Sequence, residues 1–241
     1  MCVFILNEKI NHKAIITDDY KINETIGHCK IDLDFSSKKV FSNNYKLSNK
    51  THTNDSVYGI VLPALFEIGN INYKGENFKV LISDYDFGDA FKNSKNIPGA
   101  NPQYINGEFV ILCLMYKFYV GAFVCTCIHE LGHIITLRGT KFEGVLTDIS
   151  KYGFNTKEEI YQAGIEEGLA DAFMFAQIKD NKTLVKRRTT QNGYYFLFHG
   201  TDPKLEVYRK KIPHYKEYYK GYSSIIYTDI YSSPKVKRFI K

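Results

Sequence analysis

Residues 120–137 read Val-Gly-Ala-Phe-Val-Cys-Thr-Cys-Ile-His-Glu-Leu-Gly-His-Ile-Ile-Thr-Leu. The run is apolar enough for a buried helix, and His129 and His133 stand four residues apart within it. On a helix that spacing puts both imidazoles on one face, one turn apart, where they can share a metal ion. Zinc takes imidazole nitrogen and carboxylate oxygen and keeps one position open for water. Glu130 follows the first histidine and is expected to accept the proton of that water, the general-base role.

Two imidazoles leave such a site one ligand short. Downstream, Thr156-Lys157-Glu158-Glu159 fits a capping box, so a second helix is expected from Thr156 to about Ile178. It carries Glu166 and Glu167. Glu167 shares its stripe with Ala163, Ala170, Met174 and Ile178, all apolar, which directs it inward. Glu166 shares a more mixed stripe with Gln162, Ala170, Phe173 and Gln177. A buried carboxylate needs a cation or a donor. Glu167 is therefore the expected third ligand, with Glu166 as the fallback. Asp171, one turn after Glu167, is expected to accept a hydrogen bond from the far nitrogen of His129, fixing its tautomer. An electrophile for the oxyanion is also needed. Tyr152, Tyr161, His199 and His214 are candidates, and none is assigned.

Upstream, residues 1–6, 13–17, 29–35 and 38–42 are short β-branched or aromatic runs expected to be strands. Residues 43–55 read as a loop. Ser56 is expected to cap a helix from Val57 to about Ile68, bent or broken at Pro63. Lys74-Gly75 reads as a turn into a strand from Phe78 to Ser83. Gln103 to Leu114 reads as a hairpin around Asn106-Gly107. Gly139 stands where the histidine-bearing helix should stop. The expected division is a strand-rich region over 1–55, a core over 56–180 and a basic, Tyr-rich part of the same domain over 181–241.

The net charge of +6 is unevenly spread. Residues 182–241 hold 14 Lys/Arg against 4 Asp/Glu, and residues 1–181 hold 18 against 22, balances of +10 and −4. A solvated, Lys-rich face is the plainer reading of this basic stretch. No nucleic-acid motif accompanies the charge, so nucleic acid is not an expected partner. The five cysteines are odd in number and form no framework, which suits a reducing compartment. Cys113, Cys125 and Cys127 are expected to be packed core thiols. The longest apolar run, Phe109 to Ile128, is broken by Lys117, whereas a membrane span needs about 20 clean residues. With no signal-peptide pattern at the N-terminus, the expectation is a soluble, cytoplasmic protein without a membrane partner, secretion by a signal-less route being left open.

His129-Glu130-Leu131-Gly132-His133 followed by Glu167-Gly168-Leu169-Ala170-Asp171 resembles the gluzincin pattern, HExxH then E-x-x-A/S-D, of thermolysin-like peptidases. Extended through Phe173 it is similar to lethal-factor-type peptidases, and with Ile134-Ile135 it equally resembles ImmA/IrrE-type regulatory peptidases. The metzincin pattern fails, since Thr136 and Gly139 stand where its Gly and third His belong. The interval of 34 residues from His133 to Glu167 is longer than thermolysin-like enzymes use. The resemblance covers roughly residues 78–180 and implies an α+β, zincin-like fold with a small mixed sheet, an active-site helix and a helical C-terminal lobe. It further implies a substrate lying extended along Glu108 to Leu114 as edge strand. The implied activity is zinc-dependent endopeptidase cleavage of a protein or peptide. Two other roles fit the same motif: a regulatory protein on a zincin scaffold that cleaves one partner, and a toxin or effector peptidase. The oligomeric state is open.

Overall fold

Cys29, Ile31 and Leu33 alternate with Lys30, Asp32 and Asp34, and burial in strand β2 (Cys29–Asp34) follows the alternation. This period of two is what a strand with one face on a core requires. The computed structural model describes residues 11–47, 61–85, 100–114, 116–138, 156–191, 215–227 and 229–240. Among the described residues it is a mixed α+β protein with a seven-stranded sheet and five α-helices.

The other strands are β1 (Lys21–Ile26), β3 (Lys39–Lys46), β4 (Val61–Tyr73), β5 (Glu76–Ser83), β6 (Ala100–Ile105) and β7 (Glu108–Cys113). The sheet order is β1-β2-β4-β5-β7-β6, with β3 paired along the first part of β4 and β2 along its second part. All pairs are antiparallel except β5 with β7. Asn106 and Gly107 both have positive φ, 53° and 85°, the backbone that a two-residue hairpin loop demands between β6 and β7.

Four expectations change. The loop expected over 43–55 begins later, because Asn43 to Lys46 continue β3 against β4. The stretch expected as a helix ending near Ile68 is β4 from Val61 onward; Ser56 to Ile60 lie outside the described residues. Residues 13–17 contribute only one isolated bridge, Ile15 with Tyr119, whereas Lys21–Ile26 is a full strand. Finally, Glu108–Cys113 is not the sheet edge, because it is hydrogen-bonded to β5 on one side and β6 on the other. Among the described strands the outer one is β6, where Pro102 is tolerated as an edge strand allows. Residues 1–6 and 48–55 lie outside the described residues.

The helices are α1 (Val120–Leu137), α2 (Lys157–Ile178), α3 (Lys182–Gln191), α4 (Tyr215–Ser223) and α5 (Pro234–Ile240), with a 3₁₀ turn at Ile230–Ser232. Tyr119 gives α1 no side-chain cap. The N-terminal segment supplies backbone carbonyls instead: Val120 N donates to Ala14 O at 2.9 Å and Gly121 N to His12 O at 3.0 Å. These are amides that a helix start otherwise leaves unpaired. At α2 the capping box is complete, with Glu159 N donating to Thr156 Oγ1 at 3.2 Å and Thr156 N to Glu159 Oε2 at 2.9 Å. The Cβ that Gly221 lacks would collide with the Tyr161 carbonyl oxygen, so glycine lets α4 lie directly on the backbone of α2.

The main core joins Val80, Ile82 and Ile111 of the sheet to Phe123, Val124, Ile128 and Leu131 of α1 and to Phe173 and Met174 of α2. A second cluster, with Leu62, Leu65, Leu81, Val110 and Leu112, covers other side chains of the same strands. Helix α1 is long and apolar enough to cross a membrane by length and composition, yet 78% of that window is buried inside the protein, as in a core helix. Cys113, Cys125 and Cys127 are free and buried, as packed core thiols.

Candidate metal centre

Helices α1 and α2 meet at Gly132, whose missing Cβ would lie 2.7 Å from the Ala170 carbonyl oxygen. That close approach sets His129 and His133 of α1 against Glu167 of α2. His129 Nε2 lies 3.2 Å from His133 Nε2 and 3.2 Å from Glu167 Oε2, and His133 Nε2 lies 3.6 Å from Glu167 Oε1. One donor atom from each residue fits within 4.8 Å of the others, and all three residues are buried.

The donor set suits zinc. Ligand atoms about 2.1 Å from the metal at a tetrahedral angle lie about 3.4 Å apart; the two imidazole nitrogens are 3.2 Å apart here, and each is 3.2 or 3.6 Å from a different oxygen of Glu167. Nitrogen and oxygen donors in a ratio of two to one are the set of a three-ligand site with a position left for water. Of the two glutamates, it is Glu167 whose carboxylate meets both imidazoles. Glu166 is also buried and has Gln162 Nε2 at 3.4 Å from its Oε1. The apolar stripe therefore does not separate the pair, because α2 is covered on nearly every side in this segment.

Behind the triad, His129 Nδ1 lies 2.8 Å from Asp171 Oδ1. Asp171 is only 1% exposed and holds two further donors: Arg188 Nη2 at 2.7 Å on Oδ1 and the Tyr222 hydroxyl at 2.6 Å on Oδ2. Burial alone would raise the Asp171 pKa, but the charges of Arg188 and His129 and the bonds they make hold it well below the usual carboxylate range. Arg188 and Tyr222 were not among the residues expected from the sequence. Arg188 sits in the run Lys186-Arg187-Arg188, which reads as solvated. One signal sets it apart: in a polar helix it is one turn from Leu184, which is fully buried. Nothing in the sequence marks Tyr222 among so many tyrosines.

Burial would lower the pKa of His129, but Asp171 and Glu167 outweigh it and push it up to about 10 in the metal-free protein. A metal takes the deprotonated ligand, so loading the site must displace a proton from this ring. Calorimetric zinc titrations near pH 7.5, in buffers of different ionisation heat, are expected to show about one proton released per zinc from this residue, and weaker binding as pH falls. Zinc uptake without proton release would mean that His129 is neutral before the metal arrives.

Glu130 is buried beside the triad. Burial raises its pKa, opposed by His129 and His133. A carboxyl shifted toward neutrality is the kind that moves protons near neutral pH. Cys125 and Cys127 are pushed up by burial, Cys125 to about 11, so neither is a reactive thiolate. His12 lies 3.3 Å from Glu24, and neither it nor His28 joins the triad. Tyr161 lies on α2 and is half-buried; Tyr152, His199, His214 and His52 lie outside the described residues. Compared with known proteins, the chain matches no family model, no curated protein and no solved structure.

Proposed function

We propose that the chain is a zinc-dependent metalloendopeptidase with His129, His133 and Glu167 as ligands and Glu130 as general base. The observation that carries this reading is the convergence of two imidazole nitrogens and one carboxylate oxygen within 4.8 Å, from residues 34 positions apart in sequence on two helices. Zinc bound there supplies a Lewis acid for the scissile carbonyl and lowers the pKa of water. Glu130 takes the proton released as water attacks the carbonyl and passes it to the leaving amine nitrogen. Asp171 keeps one His129 proton on Nδ1, which makes Nε2 the ligating nitrogen. Protein or peptide is the substrate class, and the site is built on rigid helices rather than loops, which favours precise geometry.

Zinc content is the test. Purified wild type is expected to carry about one zinc per chain. Glu167→Ala is expected to lose it and Glu166→Ala to retain it. A wild type that takes up no zinc when supplied with it would overturn the reading.

A further inference from the structure

Asp171 is among the most enclosed charged groups of the described residues, only 1% exposed. A carboxylate taken that far from water needs a counter-charge and a bond for each oxygen. Here the counter-charge is Arg188, from α3, and it shares Oδ1 with His129 Nδ1. The second oxygen is taken by the Tyr222 hydroxyl, from α4. Two donors on Oδ1 and one on Oδ2 fix both the position and the rotation of the carboxyl plane. Arg188 Nη2 is also 3.5 Å from His129 Nδ1, so the guanidinium borders the ligating ring itself. Arg188 is itself buried, 9% exposed, which sets it apart from its exposed neighbour Lys186.

We infer that Arg188 and Tyr222 are positioning residues of the metal centre. They hold Asp171 as an oriented carboxylate, Asp171 holds the proton on Nδ1 of His129, and Nε2 is thereby the nitrogen that His129 turns to the metal. The basic C-terminal quarter then has a defined task. One of its cations neutralises the buried acid behind the ligand, and one of its tyrosines sets that acid's rotation. This rests on the metallopeptidase reading for the identity of the ligands, but it is a statement about metal affinity and not about turnover.

The experiment is a zinc competition titration against a chromophoric chelator, on the full chain, with the cobalt-substituted absorption spectrum as second readout. Tyr222→Phe removes one hydroxyl and keeps the ring's packing; it is expected to weaken zinc binding about tenfold and to alter the cobalt bands. Arg188→Met and Asp171→Asn are each expected to weaken binding about 10–100-fold. Because both neighbours act through Asp171, the double variants Asp171→Asn/Arg188→Met and Asp171→Asn/Tyr222→Phe are expected to bind zinc no more weakly than Asp171→Asn alone. Losses that multiply in the double variants would show that Arg188 and Tyr222 support the fold independently of Asp171, and would overturn the inference. So would wild-type affinity in Tyr222→Phe, which also decides the matter if Arg188→Met does not fold. Those two outcomes leave the metal site itself standing. A wild type that binds no zinc removes both the inference and the reading beneath it.

Discussion

Glu130→Gln is expected to bind zinc as the wild type does and to cleave an unfolded protein substrate about 10²–10⁴-fold more slowly. Glutamine keeps the size and one hydrogen-bonding oxygen of the side chain but cannot accept a proton. The three ligand residues are untouched, so metal content serves as the internal control. Stability is a second control. Glu130 is a buried carboxyl whose pKa is raised by burial. Replacing it with a neutral amide removes a desolvation cost, so the variant is expected to unfold at the same or a higher temperature. A fall in activity with unchanged metal and unchanged or improved stability can only be chemical. Full activity in Glu130→Gln would show that this residue moves no proton in the reaction.

The readable half of the site is the half made by helical spacing. His129 and His133 at i and i+4, and Glu167 and Asp171 at i and i+4, are each local pairs, and a helix brings each pair to one face without help from the rest of the chain. The structure sets those two faces against each other, and it brings Asp171 to His129 as expected. The other half is long-range. Arg188 and Tyr222 reach Asp171 only because α3 and α4 fold back onto α2, and apart from the spacing of Arg188 from Leu184 nothing in this Lys- and Tyr-rich stretch records that. Charge composition points the wrong way there: most of the described cations, such as Lys182, Lys186, Lys216 and Lys220, face solvent, and the one that matters is buried.

The misreading at residues 61–68 has a similar cause. Leu62, Leu65, Ile68 and Ile71 are buried at every third position, a spacing that a helix would produce. In β4 it arises from two features of the sheet. Leu62 and Leu65 belong to one core cluster and Ile68 and Ile71 to the other, so the strand is buried on both sides. Between them the register against β5 slips from Glu67 to Gly69, a bulge that shifts which side chains face which side. Pro63, which suggests a broken helix, lies in the part of β4 that precedes its pairing with β5, where a missing N–H is tolerated. Hairpin and capping signals at Asn106-Gly107 and Thr156–Glu159 succeeded because they are complete within a few residues.

Gly132→Val is expected to lower zinc affinity more than about a hundredfold while the sheet and most helical structure persist. A Cβ at this position would meet the Ala170 carbonyl oxygen at 2.7 Å, its Cα at 3.0 Å and its carbonyl carbon at 3.2 Å. All three are backbone atoms, so no rotamer change relieves the clash and one helix must move. Alanine at the same place gains about 1 kcal/mol of helix propensity over glycine, against an overpacking cost of about 1–3 kcal/mol, and is expected to be the milder variant. Valine adds two branches at the contact and gains less in propensity, so sterics dominate. Displacing α1 from α2 here separates His129 and His133, which flank Gly132, from Glu167 and Asp171, which flank Ala170. Ligand geometry tolerates about 0.5 Å, and the shortest contacts between the three residues are 3.2 to 3.6 Å. Competition titration and circular dichroism on Gly132→Ala and Gly132→Val would follow the two effects separately. Wild-type zinc affinity in a folded Gly132→Val protein would mean that the contact between the helices does not set the distance between the ligands.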